Sequence, residues 1–314
     1  MTTRIVATAF GGPEVLAAVD ADVPTPGDGE VTIEVRAAAI NPVDYKRFSG
    51  AMGADPSLLP LAVGNELAGV VTAVGPSATG RDGALAVGDE VIAYPAPGAY
   101  AAAITLPAAN VVHKPAQLPW AEASGIMLTG ATAVHTLTVV GVTAGDTVLI
   151  HGGSGGVGQL AVQLAVAAGA TVVTTASAQH DDLLRSYGAI PLRYGPGLAD
   201  RVRDVAPSGV DAAIDTVGTA EAVDVSLELV ADRARIVSIA AFGRADTEIK
   251  LVGGAPGADP GTEIRRNAWQ QLLPAAAAGT LRVVVARTFP LTDAEAAVRL
   301  VADGHAGGKV VLLP

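Results

Sequence analysis

Apolar and polar positions alternate with a period of two in the first part of the chain. Val31, Ile33 and Val35 are separated by polar residues, which is the pattern of a strand with one buried face. Further strands are predicted at residues 5–10, 67–74, 90–94 and 99–106, with Gly and Pro turns between them. One helix is predicted at 42–48, because Pro42 suits a first helical turn. The pattern therefore predicts a β-barrel-like unit.

From Pro119 the apolar period lengthens to that of a helix, and strands then alternate with helices. Helices are predicted at 120–137, 181–187, 198–205, 220–230, 263–278 and 294–302, with a kink or break at Pro274. Strands are predicted at 147–150, 170–175, 190–194, 210–215, 235–240, 281–289 and 309–313. This alternation predicts a doubly wound parallel sheet, so the fold class is α/β.

A glycine-rich turn joins the first strand of this sheet to the helix that follows it. The residues HGGSGGVG contain Gly153-x-Gly155-x-x-Gly158, and apolar residues at helical spacing follow. In a strand–turn–helix context, such glycines allow a tight turn, close approach of the backbone to a pyrophosphate, and close packing of the helix. We expect a dinucleotide-binding turn here, with ligand contacts also at the ends of the other parallel strands.

The end of the second strand indicates which dinucleotide binds. NAD-binding turns place a carboxylate about 20 residues after the glycines, but here Ser177, Gln179 and His180 precede the first carboxylate, Asp181. A small neutral loop with hydroxyl, amide and imidazole groups leaves room for a 2′-phosphate. We therefore predict NADPH, with Ser177 and His180 as ligands, although the same residues also suit an ordinary polar strand end.

Composition restricts the classes of function. The chain has 314 residues, enough for two domains, and its 37 Gly and 20 Pro are scattered among many turns, as in a globular protein. Its net charge of −11 argues against a nucleic-acid or anionic-membrane partner. The absence of cysteine excludes disulfides, thiolate zinc ligands and a Cys nucleophile. Of the five histidines, His113, His135, His151 and His305 lack metal-ligand spacing.

No signal peptide or membrane span is recognisable, and we expect a cytoplasmic protein. The apolar N-terminal stretch is interrupted by Gly11-Gly12-Pro13, and the run from Leu160 to Val173 is explained as a helix followed by a strand.

Several motifs in order resemble the medium-chain dehydrogenase/reductase superfamily, in its zinc-free, zeta-crystallin-like quinone oxidoreductase branch. They are AAAINPVDYKRFSG, GNELAGVVTAVG, VGDEVIAY, LTGATAVHTL, VLIHGGSGGVGQLAVQLA and GGKVVL, and they cover nearly the whole chain. The resemblance implies a Rossmann doubly wound parallel sheet plus a GroES-like β-barrel domain. It implies a GroES-like substrate domain at 1–115, a Rossmann domain at 116–260, and a C-terminal return to the first domain at 261–314. It also suggests a homodimer.

Metal-dependent relatives bind catalytic zinc through Cys and a Gly-His-Glu motif, which here reads Gly64-Asn65-Glu66. No cysteine completes the site, and the four-thiolate structural zinc lobe is missing. The resemblance therefore implies chemistry without metal. Reduction of a conjugated acceptor suits this condition, because charge delocalises into the acceptor's own carbonyl.

The resemblance also implies site residues. Asn41 would lie near the nicotinamide, although a helix N-cap explains it equally well, and Tyr45 is a candidate proton donor whose alternative is a partly buried tyrosine. Asp44 is expected to reinforce the cap, and Lys309 to be an exposed strand-end lysine. The predicted cofactor ligands are Asn41, Thr129, Gly153, Ser154, Gly155, Gly156, Val157, Ser177, His180, Tyr194, Val217, Ala240 and Ala241.

At the adenosine end, relatives use a tyrosine beside the 2′-phosphate, which Tyr194 matches, with Arg193 as an adjacent cation. A lysine that relatives carry after the second strand is replaced here by Asp181-Asp182, a departure that counts against NADPH. Arg185 is expected to form a surface ion pair.

These features together predict an NADPH-dependent, zinc-independent reductase that transfers hydride to a quinone or another α,β-unsaturated carbonyl (enone). The alternatives are an enoyl reductase, a cofactor-binding protein with negligible turnover and a zinc alcohol dehydrogenase. Enoyl-reducing relatives often carry a tyrosine near the position of Met52, and this sequence has none there.

Overall fold

The computed structural model describes residues 1–304 and 306–314, without the side chain of Ala245; His305 lies outside the described residues. The chain divides into two compact units. The first comprises Met1–Leu128 and Trp269–Pro314, and the second comprises Thr129–Ala268. The second unit is therefore an insertion in the sequence of the first. The domain limits inferred from the resemblance stay a prediction.

The N-terminal part of the first unit is mostly strands. They are β1 (Thr2–Ala7), β2 (Leu16–Ala21), β3 (Glu30–Ile40), β4 (Leu61–Ala62), β5 (Leu67–Val74), β6 (Glu90–Ala93), β7 (Ala103–Pro107) and β8 (Val111–His113). Two helices accompany them, α1 (Pro42–Phe48) and α2 (Trp120–Ser124).

The second unit alternates strands and helices. Its strands are β9 (Thr147–His151), β10 (Thr171–Thr175), β11 (Ile190–Leu192), β12 (Ala212–Asp215), β13 (Ile236–Ser238) and β14 (Lys250–Leu251). Its helices are α3 (Met127–Val139, whose first two residues belong to the first unit), α4 (Gly156–Ala167), α5 (Asp181–Ser186), α6 (Leu198–Val205), α7 (Ala220–Leu229) and α8 (Thr262–Asn267).

The chain then returns to the first unit through α9 (Trp269–Ala277), β15 (Val285–Pro290), α10 (Ala294–Ala302) and β16 (Lys309–Leu313). There β16 pairs antiparallel with β3, with Val311 opposite Ala39. The larger sheet of this unit has the order β15-β16-β3-β5-β6-β8, with β7 also on β3, and a smaller sheet has the order β2-β1-β4. A buried core of aliphatic side chains, Phe48 and Tyr100 fills the unit.

The second unit contains a parallel sheet of order β11-β10-β9-β12-β13-β14. Its central strands β9, β10 and β12 are buried apart from the first residues of β9 and β10, as parallel strands covered on both faces require. From β9 the chain proceeds to β10 and β11 on one side, and then to β12, β13 and β14 on the other. The switch point therefore lies between β9 and β12, where such sheets bind ligands beyond the carboxyl ends of the strands. The predicted fold class is confirmed.

Several predicted element limits were wrong. Strand β1 ends at Ala7, β7 begins at Ala103, and β15 begins at Val285, whereas longer strands were predicted. The predicted helix at 120–137 is interrupted at Gly125, where an added Cβ would lie 2.8 Å from Lys309 Cε. Strands β2, β4, β8 and β14 were missed, since they are short or poor in β-branched residues.

The predicted break at Pro274 was also wrong. Pro274 lies inside α9, and the helical segment is interrupted at Ala268 instead. The neighbours Leu272, Leu273 and Ala276 are buried, so packing retains the helix although the proline removes one backbone hydrogen bond.

Candidate functional site

The carboxyl edge of the parallel sheet gathers most of the predicted cofactor ligands. Gly153–Val157 follow β9, Ser177 and His180 follow β10, and Tyr194 follows β11, while Val217 follows β12 and Ala240 and Ala241 follow β13. Thr129 belongs to the same unit but lies on α3, with 4% of its surface exposed. Asn41 and Tyr45 belong to the first unit.

The glycine turn after β9 leaves no space for a side chain at Gly153 or Gly158. A Cβ on Gly153 would lie 2.0 Å from Thr174 Oγ1, and a Cβ on Gly158 would lie 2.1 Å from the Gly152 carbonyl oxygen. Gly152 adopts φ +79°, a left-handed conformation that favours glycine. By contrast, a Cβ on Gly155 would meet only the Gly152 oxygen, at 3.4 Å, so this side of the turn is open. The turn therefore fits a pyrophosphate that approaches the backbone.

Helix α4 begins immediately after this turn. Its N-cap residue is Gly155, which has no side chain to accept a hydrogen bond from the first helical turn. Free N–H groups and the positive end of the helix dipole favour an anion at such a position. The open turn and the uncapped helix therefore fit the same phosphate group.

A buried carboxylate, which the sequence reasoning missed, holds two of the neighbouring turns. Asp215 Oδ1 accepts hydrogen bonds from the N–H groups of Val217 and Gly218, both at 2.9 Å. Its Oδ2 accepts one from Ser238 Oγ at 2.6 Å, and the same Oγ accepts the N–H of Ala241 at 2.9 Å. Asp215 thus fixes the backbone after β12 and, through Ser238, the backbone after β13. An acidic residue that ends an otherwise apolar strand was the available signal.

His151, the last residue of β9, is buried and hydrogen-bonded. Ser226 Oγ donates its only hydrogen to the carbonyl of Ala222, at 2.7 Å. Ser226 Oγ must therefore accept from His151 Nε2, 3.1 Å away, so the imidazole carries its proton on Nε2. Burial lowers the pKa of His151 to about 4. The ring is neutral at physiological pH and positions β9 rather than exchanging protons.

Three large side chains at this edge are exposed although two of them are apolar. Val217 is 48% exposed, Phe242 37% and Tyr194 58%. They follow β12, β13 and β11, respectively. Such side chains at the ligand-binding edge of a parallel sheet are suited to the flat faces of a bound dinucleotide.

In the first unit, Asn41 and Asp44 form the expected cap of α1. The backbone N–H of Asn41 donates to Asp44 Oδ2 at 2.8 Å. The Tyr100 hydroxyl and the Asn65 amide also donate to Asp44, each at 2.7 Å. Burial raises the pKa of Asp44 to about 6, against the lowering effect of these three donors. Burial also raises the pKa of Tyr100.

The expectation that Lys309 is an exposed strand-end lysine was wrong. Its side chain is 4% exposed, and its Nζ lies 2.7 Å from Asn41 Oδ1 and 2.9 Å from Glu66 Oε1. Asn41 Nδ2 donates to the same Glu66 oxygen at 2.8 Å, and the Leu128 N–H donates to Glu66 Oε2. Because buried charges require partners, Lys309 is held inside by Glu66. Its distant position in the sequence concealed this pairing.

Tyr45, the predicted proton donor, is partly buried and packs against the core of the first unit. The Asn41 amide is engaged at both ends by Lys309 and Glu66. Asn65 and Glu66, which stand at the zinc-motif positions, are thus also hydrogen-bonded. In residues 1–304 and 306–314, no group of three or more His, Asp or Glu side chains could hold a metal ion. No helix in this described part could cross a membrane.

Comparison with known proteins places this geometry in a family. Residues 27–116 match the alcohol dehydrogenase GroES-like domain, and residues 194–312 match the zinc-binding dehydrogenase family. Human quinone oxidoreductase is 30% identical over 97% of this chain and 95% of its own length. The chain belongs to the quinone oxidoreductase branch of the medium-chain dehydrogenase/reductase superfamily. The resemblance inferred from the sequence motifs, and with it membership of an oxidoreductase family, is confirmed.

The chain is also similar to part of a longer protein and to solved structures. A phthioceranic/hydroxyphthioceranic acid synthase of Mycobacterium tuberculosis is 33% identical over 91% of this chain, but the chain spans only 14% of that synthase. A mycobacterial structure complexed with NADPH is 34% identical, with a TM-score of 0.85, covering 99% of this chain and 100% of its own. The structure of an enoyl reductase is 27% identical, with a TM-score of 0.86 and 99% coverage of both chains.

Proposed function

We propose that this protein is an NADPH-dependent reductase that transfers hydride to a quinone or another α,β-unsaturated carbonyl, without zinc. The observation that carries the proposal is the open glycine turn at the switch point of the parallel sheet. Its crowded face accepts only glycine at 153 and 158, while its other face and the uncapped start of α4 suit a diphosphate.

The end of β10 supports NADPH over NADH. A carboxylate that is free to accept hydrogen bonds from the ribose hydroxyls would favour NADH. The carboxylate after β10, Asp181, is instead engaged by Arg193 and Arg185. Ser177 and His180 lie next to it in the sequence as candidate ligands, and a related mycobacterial structure is complexed with NADPH.

The hydrogen bonds of the first unit support a mechanism without zinc. Glu66, the acidic residue of the zinc-type motif, is engaged by Lys309, Asn41 and a backbone N–H. Asn65 stands where a histidine ligand would be, and its amide donates a hydrogen bond to Asp44. Neither side chain is available to a cation without breaking a buried bond, which is costly.

In this mechanism, bound NADPH supplies the hydride. The N–H groups of the glycine turn and of α4 bind the diphosphate, and Asp215 and Ser238 hold the backbone after β12 and β13 in place. Val217, Phe242, Ala240 and Ala241 provide an apolar wall that excludes water from the nicotinamide. We assign Thr129 and Asn41 to orientation of the nicotinamide, and Tyr45 to donation of a proton to the reduced acceptor.

An NADPH-oxidation assay with matched panels of quinones and enones tests the proposal. Turnover of quinones or of simple enones supports it, and turnover of enoyl thioesters alone favours the enoyl-reductase alternative, which the related enoyl-reductase structure makes the second candidate. Tight NADPH binding without turnover on any acceptor would favour the cofactor-binding alternative. Metal analysis of the active protein should find no stoichiometric zinc. A homodimer and a cytoplasmic location stay predictions, which light scattering and cell fractionation would check.

A further inference from the structure

An arginine–aspartate pair lies at the carboxyl ends of β10 and β11. Arg193, directly after β11, places its Nη2 2.5 Å from Oδ2 of Asp181, the first residue of α5. Arg193 Nη1 also donates to the carbonyl of Ala176, at 3.1 Å. Ala176 directly precedes Ser177, so the guanidinium lies beside a residue that we assign to the adenosine end of NADPH.

The backbone that carries Arg193 is tied down independently. Arg201 Nη2 donates to the carbonyls of Arg193 and Gly195, both at 2.8 Å. Its Nη1 donates to Pro196 O, also at 2.8 Å. The position of Arg193 is therefore set by a second arginine on α6. The Arg193 side chain itself is 41% exposed, so it remains accessible to a solute.

The pair is poorly explained by stability alone. Asp181 Oδ2 forms ion pairs with both Arg193 and Arg185. Asp181 Oδ1, by contrast, is buried without a hydrogen-bond partner among the described residues. An unpaired buried carboxylate oxygen is costly, and partly exposed ion pairs contribute little to folding. The hydrogen bond from Arg193 also lowers the pKa of Asp181, so the carboxylate is charged at neutral pH. What the arrangement does provide is a partly exposed guanidinium held next to Ser177.

We propose that Arg193 determines the preference of this protein for a ribose 2′-phosphate, and that Asp181 is the resident anion that competes with this phosphate. Arg193 has five N–H donors, of which the bonds to Asp181 and Ala176 use two. Donors therefore remain for phosphate oxygens, which guanidinium groups bind strongly. Asp181 holds the guanidinium in position before the nucleotide binds, but its negative charge weakens the attraction for the phosphate. The inference rests on the proposed function.

Calorimetry with 2′,5′-ADP and 5′-AMP, which differ only in the 2′-phosphate, tests this proposal on the whole chain. Arg193→Ala should raise the Kd for 2′,5′-ADP about 10- to 100-fold and change that for 5′-AMP less than about twofold. Asp181→Asn keeps the shape and removes the charge, and should lower the Kd for 2′,5′-ADP about three- to tenfold. In the Arg193→Ala background, Asp181→Asn should have no such effect.

Arg203→Ala is the matched control, because Arg203 is an exposed arginine of the same unit that pairs with Asp200 and Glu228. It should leave both dissociation constants unchanged. Equal weakening of both nucleotides by Arg193→Ala, or weaker 2′,5′-ADP binding in Asp181→Asn, would overturn the inference but leave the proposed function intact. Failure of the wild-type protein to bind NADPH, NADH or either fragment would overturn both.

Discussion

Glu66 and Lys309 form a buried ion pair across 243 residues of sequence, with 2.9 Å between Oε1 and Nζ. The exposed fractions of the two side chains are 0% and 4%. Asn41 bridges them, since its Oδ1 accepts from Lys309 and its Nδ2 donates to Glu66. This arrangement links the last strand of the first unit to the start of α1.

Removal of the cation from this pair should destabilise the first unit strongly. Lys309→Met leaves the Glu66 carboxylate buried without its countercharge, which costs about 3–5 kcal/mol in comparable sites. Adding Glu66→Gln should recover part of the loss, because the buried charge is then gone. Urea unfolding measures both variants. Arg36→Ala, which breaks an exposed pair with Glu34, is the control and should cost less than about 1 kcal/mol. Equal costs for Lys309→Met and Arg36→Ala would contradict the buried pairing.

Gly158→Ala tests the crowded face of the glycine turn. The new methyl group would meet the Gly152 carbonyl oxygen at 2.1 Å, and backbone cannot rotate away as a side chain does. We expect a loss of about 1–3 kcal/mol in stability and at least a roughly tenfold rise in the Kd for NADPH, because the diphosphate contacts depend on the turn. Fluorescence titration measures the affinity. Gly254→Ala, where an added Cβ meets nothing within 4 Å, should change neither quantity.

His151 should make the second unit sensitive to acid. Burial holds its pKa near 4, below the value of about 6.5 in the unfolded chain, so the unfolded state binds more protons as the pH falls. Stability is therefore lost between about pH 6.5 and pH 4, by about 2 kcal/mol at pH 5. His151→Gln retains a donor for Ser226 without this titration and should flatten the pH dependence over the same range. Thermal unfolding at pH 7 and pH 5 compares the proteins. An unchanged pH slope in His151→Gln would exclude His151 as the source.

Tyr45→Phe tests the proposed proton donor. If its hydroxyl protonates the reduced acceptor, kcat with enones should fall about 100-fold or more, since positioned general acids contribute about that much. The Kd for NADPH should not change, because the substitution removes only the hydroxyl. Steady-state kinetics and fluorescence titration give the two quantities. An unchanged kcat would assign the protonation to water.

The two units differed in how much their sequences revealed. The parallel sheet was predictable because its glycine turn, its short buried strands and their alternation with helices are all local signals. Strands β2 and β4 were not predicted, because they are short or rich in alanine. Their extended conformation is determined by pairing with β1 rather than by intrinsic strand propensity.

Within the site, sequence reasoning identified residues that follow strands but not residues that act through burial. Asp215 and Ser238 were missed because their role depends on two strands being neighbours in the sheet. Lys309 was misplaced because a lysine at a strand end is usually exposed, and only the fold places Glu66 beside it.

The divided course of the first unit has a consequence during synthesis. Strand β3 emerges early from the ribosome, whereas its neighbour β16 consists of residues 309–313 and follows all the other described strands in the sequence. All strands of the parallel sheet have emerged before that point. A nascent chain can therefore complete the parallel sheet that binds the nucleotide while β3 still lacks one of its neighbours, and Glu66 has no countercharge from Lys309 until residue 309 has been synthesised.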